Sequence, residues 1–295
     1  MDQSSNDYLS ITRSARLKQI FLDRLASSTT PLFGSTGSRL LDGTTPHHSA
    51  LEDRLSLFFS YHAPNNSSAP KDSALLFNSG FDANVSFFST VPQRSDYIIY
   101  DELVHASVWD GMRANERRGV PVSRRRAFRH GNVHHLSQIL YDIIAKEQQV
   151  LESTSKAHAD GLGMIFIAIE SLYSMDGDLA PLPQIIRALE ALQVQHPALI
   201  NPARVCIIVD EAHTTGVYGA QGRGFVHEMV QKEKELSGGE SRIAKWVQVR
   251  LMTFGKGMGS QGGKFYGLLP EYNLILERLD VSRITRLSDN TLVPH

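Results

Sequence analysis

At 295 residues, with 41% apolar side chains, the chain is long enough for one large α/β domain or two modest ones with a filled core. Its 30 basic and 31 acidic side chains cancel, which excludes an overall field that would recruit nucleic acid or an anionic membrane. A single cysteine, Cys206, excludes an internal disulfide, and its place in the apolar run Val205 to Val209 makes it a core side chain rather than a nucleophile. Residues 1–9 are polar and end on the pair Tyr8-Leu9, and Ile11 to Leu25 has the mixed spacing of an amphipathic helix. The loop Gly34-Ser35-Thr36-Gly37-Ser38-Arg39 can cradle a phosphate with its amides, but lacks the Gly-Lys-Ser/Thr ending of a nucleotide P-loop. Ser49 to Tyr61 is spaced as a helix, and Pro64 to Lys71, rich in Asn, Ser and Pro, reads as an exposed loop.

Ala74 to Phe77 predicts a short buried strand that runs through Asn78-Ser79-Gly80-Phe81 into a helix. That combination makes an anion site, because free amides and the helix dipole point at whatever sits there. Tyr97 to Tyr100 is the next strand, followed by Asp101 to Ser107. Residues after the C-terminal ends of parallel strands face the ligand crevice, so His105 is read as either a site residue or a helix cap. Arg117-Arg118 and Arg124-Arg125-Arg126 read as a solvated basic face leading into a strand at Ala127-Phe128. His130, His134 and His135 lack a Cys, Asp or Glu at a metal-ligand spacing and read as surface loop. Glu147 to Asp160 is polar and reads as a mobile connection.

Gly163 to Ile169 is a strand entering Glu170 to Pro181, and Leu182 to Val194 is a helix. Val205 to Val209 is a strand ending in Asp210-Glu211-Ala212-His213. Gln231 to Lys245 is a charged helix interrupted by Gly238-Gly239. Val247 to Met252 is a strand that leads into Thr253-Phe254-Gly255-Lys256-Gly257-Met258-Gly259, and Lys264 to Leu269 follows closely enough to be its hairpin partner. The alternation of strands and helices predicts an α/β fold with a mostly parallel sheet. No internal repeat is evident. No apolar stretch is long enough to span a bilayer and no basic-then-apolar leader opens the chain. The expected location is the cytoplasm, with an organelle such as the peroxisome left open.

Lys256 carries the chemistry. A lysine on a turn at the sheet edge, boxed in by small residues, can be desolvated, which lowers its pKa and suits it to capture an aldehyde. Asp-Glu-Ala-His after a strand admits two chemistries. A DEAH-box helicase would hold magnesium and ATP there, but it needs an upstream P-loop that this chain lacks. Pyridoxal 5′-phosphate chemistry needs a lysine for the aldehyde, a carboxylate for the pyridine nitrogen and an anion site for the phosphate, and these follow one another along this chain.

The runs Gly34–Gly43, Leu76–Asn84, Asp101–Ser107, Glu170–Pro181, Val209–Gly216 and Thr253–Gly263 together resemble the α-oxoamine synthase family, a fold-type I branch of the class II pyridoxal-phosphate aminotransferases. Within it, Phe-Asn-Ser-Gly-Phe-Asp-Ala-Asn, Glu-Ser-Leu-Tyr-Ser-Met-Asp-Gly-Asp and Thr-Phe-Gly-Lys look most like the fungal 8-amino-7-oxononanoate synthases of biotin synthesis. The resemblance implies a large domain with a seven-stranded, mostly parallel sheet flanked by helices. It implies an acyltransferase that condenses an amino acid, L-alanine first, with an acyl-CoA or acyl thioester, pimeloyl first, releasing CoA and carbon dioxide. Lys256 would hold the cofactor, Asp210 would face its pyridine nitrogen and His105 its ring. Ser174 and His213 would lie by the phenolic oxygen, while Thr253 and the amides of Gly80 and Phe81 would hold the phosphate. Asn6 would approach the substrate, and Glu170 would stand behind the site. A homodimer is implied, with no nucleic-acid or membrane partner and no metal.

Family members extend beyond both ends of this chain. The expected division is therefore an N-terminal segment at 1–33, a cofactor-binding domain at 34–270 and a divergent tail at 271–295, with the family's small C-terminal domain outside the chain. Other α-oxoamine synthases, among them aminolevulinate synthase, 2-amino-3-oxobutyrate ligase and serine palmitoyltransferase, remain alternatives, as does an inactive protein that keeps the fold for association.

Overall fold

The apolar runs become the strands of a single sheet in a computed structural model that describes residues 5–29, 34–39, 41–61, 73–114, 119–153 and 162–267. The strands are β1 (Ser73–Phe77), β2 (Tyr97–Asp101), β3 (Arg125–Phe128), β4 (Ile165–Glu170), β5 (Val205–Asp210), β6 (Val247–Thr253) and β7 (Gly263–Gly267). Their order across the sheet is β1-β7-β6-β5-β4-β2-β3. Only β7 runs against the rest, pairing antiparallel with both β1 and β6. The expected seven-stranded, mostly parallel sheet and the hairpin after the lysine loop are both present.

Every residue of β2, β4, β5 and β6 is buried, which explains why β2, β4 and β5 are apolar up to the acid that ends each, while β6 buries Gln248 and Arg250 among its apolar residues. The two-residue period still sorts their side chains. Ile99, Ile165, Ile167, Val205, Ile207 and Val209 join one cluster, with side chains from α5 (Val133–Ser153), α6 (Leu182–Gln195), α7 (Phe225–Ser237) and α8 (Arg242–Trp246). Ile98, Tyr100, Phe166, Ala168, Cys206 and Ile208 join the other, with α3 (Gly80–Thr90) and α4 (Ala106–Ala114). At Gly111 on α4 a Cβ would lie 2.8 Å from the Cβ of Phe88, so the glycine sets how closely α4 approaches α3.

Several expectations need correction. Glu147–Ser153 is not a loop but the end of α5. Its polar lead residue, Glu147, is buried because Tyr97 Oη donates to it at 3.0 Å and the guanidinium groups of Arg124 and Arg204 lie within 4 Å. His134 and His135 lie in the first turn of that helix, not in a surface loop, and His135 Nδ1 accepts from the Arg129 amide at 3.0 Å. The run Arg124-Arg125-Arg126 is not a simple solvated face. Arg124 stacks 4.4 Å above the Tyr97 ring and Arg125 Nε donates to the Val120 carbonyl. The charged helix starts at Phe225, earlier than Gln231, because Phe225, Val226 and Val230 face the core. Arg117-Arg118, Pro64–Lys71 and Glu271–His295 lie outside the described residues.

Two further helices precede the sheet. α1 (Ala15–Ser27) is capped by Ser14 and has no buried residue, while α2 (Pro46–Phe59) starts with Pro46 behind a Thr45 cap. The glycine-rich loop before α2 is tied to that helix through Arg39, which pairs with Glu52 at 2.9 Å, and to β1 through the Leu76 carbonyl, which accepts from Arg39 at 3.3 Å. Among the described residues no helix is long and apolar enough to cross a membrane.

Candidate active site

Four neighbouring strands end at one cavity of about 290 Å³. Its lining includes Asn6, Ser79, Gly80, Phe81, Asn84, His105, Ser107, Glu170, Asp210, His213, Thr253 and Lys256. Of the residues singled out in the sequence, only Ser174 is absent from it; that side chain is exposed on the turn after β4.

Register places the acids. β4 and β5 are parallel neighbours with Glu170 opposite Asp210, so two carboxyl groups share the buried floor. Burial raises both, and the charge of Asp210 adds to the effect on Glu170, which is pushed up to about 8. Asp210 receives hydrogen bonds from Asn84 Nδ2 at 2.8 Å and from the Ala212 amide at 2.9 Å, which favour its charged form. Glu170 therefore holds its proton at neutral pH, while the two hydrogen bonds to Asp210 favour its charged form.

Asn84 links that carboxylate to the histidine. Its other amide hydrogen goes to Ser107 Oγ at 3.0 Å, and Ser107 meets His105 Nδ1 through both its hydroxyl, at 2.7 Å, and its amide, at 3.2 Å. Because the Ser107 amide can only donate, His105 Nδ1 accepts and its hydrogen sits on Nε2. Phe81 stands edge-on to His105 with ring centroids 6.0 Å apart. Asn84 and Ser107 escaped the sequence reading.

The lysine sits on the hairpin between β6 and β7, closed by bonds from Phe254 N to Gly262 O and from Gly259 N to Lys256 O, both 2.9 Å. Close packing explains the glycines around it. A Cβ on Gly257 would come within 2.6 Å of Val217, and one on Gly259, at φ 54°, within 3.1 Å of Ile11. Lys256 Nζ lies 2.7 Å from His213 Nε2. Burial lowers the lysine pKa against the opposing pull of Asp210 and Glu170. His213 is pushed down to about 4 by burial, then by the charges of Lys256 and His105. Tyr8 Oη lies 2.7 Å from His213 Nδ1 and donates to Asn6 Oδ1 at 2.9 Å.

At the opposite wall, α3 begins at Gly80. Ser79 Oγ accepts from the Asp82 amide at 2.9 Å, leaving the first amides of the helix for a ligand. Thr253 closes on this point: a Cβ on Gly80 would lie 3.0 Å from the Thr253 Cβ.

The profile of the aminotransferase class I and II family matches residues 1–281. Among characterised proteins, an 8-amino-7-oxononanoate synthase of Emericella nidulans is 38% identical over 264 residues, covering 89% of this chain and 54% of its own. The 8-amino-7-oxononanoate synthase of Haemophilus ducreyi is 36% identical over 75% of this chain and 48% of its own. The aminoacyl transferase sphA of Byssochlamys spectabilis is 31% identical over 94% of this chain and 50% of its own. Among solved structures, the serine palmitoyltransferase of Sphingomonas wittichii superposes with a TM-score of 0.63 at 28% identity, covering 92% of this chain and 53% of its own. This chain thus spans about half the length of the curated relatives it matches. It belongs to the aminotransferase class I and II family, on its α-oxoamine synthase branch.

Proposed function

We propose that this chain holds pyridoxal 5′-phosphate at Lys256 and forms the catalytic half of an acyltransferase that joins an amino acid to an acyl thioester, with loss of CoA and carbon dioxide. The observation that carries this reading is the convergence of Lys256, Asp210, His105 and the start of α3 on one cavity. The residues fit the group. Lys256 would take its aldehyde, Asp210 its pyridine nitrogen, His105 its ring face and His213 its phenolic oxygen. The amides of Gly80 and Phe81, with the Thr253 hydroxyl, would take its phosphate. Bound there, the cofactor supplies an electron sink for charge developing on the α-carbon of the amino acid.

The protein's own groups supply the rest. Asp210, ionised and fixed by Asn84 and Ala212, favours a positive charge on the nitrogen it faces. Lys256 Nζ, its pKa lowered by burial, has a neutral fraction able to accept the α-proton and return it later. Glu170, protonated beside Asp210, adds no second negative charge to the floor. Asn6, at the cavity rim, approaches the incoming substrate.

The likeness to 8-amino-7-oxononanoate synthases supports alanine and pimeloyl thioester as the pair, and with them a step of biotin synthesis. The likeness to serine palmitoyltransferase supports serine with a longer acyl chain as the second reading. A homodimer is part of the same proposal, by family resemblance. The test is the visible spectrum of the chain with added pyridoxal 5′-phosphate, then borohydride reduction and peptide mass mapping. A band whose label maps to Lys256 and disappears in Lys256→Ala is the expected result, and label spread over surface lysines would overturn the reading. Assays of alanine, glycine and serine against acyl thioesters then choose between the pairs.

A further inference from the structure

Lys256 is held from behind by a side chain that never enters the cavity lining. Tyr8 is 44% exposed, yet its hydroxyl reaches His213 Nδ1 at 2.7 Å while Lys256 Nζ meets the other ring nitrogen at 2.7 Å. We propose that Tyr8 is a positioning residue for the reactive amine: its hydroxyl fixes His213 in the tautomer with hydrogen on Nδ1, so that Nε2 presents a lone pair to Lys256 Nζ.

The hydrogen count supports one arrangement. Asn6 Oδ1 can only accept, so it takes the Tyr8 hydroxyl hydrogen and leaves Tyr8 Oη to accept from His213 Nδ1, where a neutral imidazole then carries its hydrogen. Tyr8 Oη accepts that hydrogen and passes its own to Asn6 Oδ1 at 2.9 Å. The other tautomer would set an N–H against the ammonium. His213 stays neutral because it is buried and faces the Lys256 ammonium, while Asp210 acts on Lys256. The chain ends on a side-chain amide, which does not take up a proton, so it orients the lysine rather than conducting from it.

Tyr8 is itself placed by design of the surrounding backbone. Asp7 accepts from the amides of Ile11 and Thr12 and from the Thr12 hydroxyl, which ties residues 7–12 into a tight turn. Ile11 and Thr12 of that turn pack against Gly259, and the Tyr8 ring lies 3.6 Å from where a Gly257 Cβ would be. The glycines of the lysine loop therefore make room for the segment that carries Tyr8.

This inference rests on the proposed function only in taking Lys256 as the reactive amine. The test uses the full chain, labelled with ¹⁵N-histidine and free of cofactor, at pH 7. The His213 signals are identified by their loss in His213→Gln. Wild type is expected to show the Nδ1–H tautomer, and Tyr8→Phe, which keeps the ring against Gly257, to show a shift to a mixture with Nε2–H. An Nε2–H tautomer in wild type, or an unchanged His213 in Tyr8→Phe, would overturn the proposal. The wild-type reading decides even if the variant folds poorly. No cofactor or acyl substrate is present, so the outcome is independent of the reaction the chain performs.

Discussion

Asn84 spends both of its amide hydrogens inside the core, one on Asp210 and one on Ser107, while its Oδ1 has no partner. Removing it strands a buried carboxylate oxygen and a hydroxyl. Asn84→Ala is expected to cost about 1–3 kcal/mol in urea unfolding, and Asn84→Asp more, because it sets a second carboxylate against Asp210. Equal stability of Asn84→Asp and wild type would show that this contact does not hold Asp210. At this scale the sequence was legible where chemistry demanded a residue type: a boxed-in lysine, an acid at a strand end, a histidine after another. It was silent about Asn84 and Ser107, because their roles arise from the approach of α3 to β5, whose contacting residues are 126 positions apart. Ser174, a residue of the same motif as Glu170, lies exposed on the turn after β4, outside the cavity lining.

Among the elements, the best-defined joint lies beneath the Asp-Glu-Ala-His turn. Glu211 is fully buried, pairs with Arg250 of β6 at 2.5 Å and accepts from the first turn of α7 at Val226. Arg250 in turn donates to the carbonyls of Phe59, at the end of α2, and Arg223, before α7. The acid that suggested a magnesium-binding helicase thus fastens three elements to one another. Glu211→Gln is expected to destabilise by about 3–5 kcal/mol, since it leaves a buried guanidinium without its counter-charge; denaturant midpoints would show it, and a change below 1 kcal/mol, ~RT-sized, would contradict this role. β2, β4 and β5 were readable because burial on both faces makes them apolar up to the acid that ends each. α5 was not, because Glu147 looks like a solvent residue until Arg124 and Arg204 are brought beside it. α1 carries Leu17, Ile20, Phe21, Leu22 and Leu25 exposed, so Phe21→Ser with Leu25→Ser is expected to lower binding of a hydrophobic dye while leaving the melting temperature unchanged.

For the molecule as a whole, Glu170 couples the site to stability. The native state keeps its proton up to about 8, whereas an ordinary glutamate releases it near 4.5. Between those values the folded protein binds more protons than the unfolded chain, so stability falls as pH rises, by at most about 1.4 kcal/mol per pH unit. His213, lowered from 6.5 to about 4, acts with the opposite sign below pH 6.5, where stability is lost as pH falls. Glu170→Gln should therefore flatten the decline between pH 6.5 and 8 in the cofactor-free protein; parallel curves for the two proteins would refute the assignment of the proton to Glu170. The single reversed strand has a consequence for how the molecule assembles. Most strand pairs in the sheet must wait for a long crossover to close, but β6 and β7 are joined by a nine-residue loop, so their pairing is cheap in chain entropy and early. The arm bearing Lys256 can thus form as a local nucleus, onto which the strands bearing Asp210 and Glu170 are later laid.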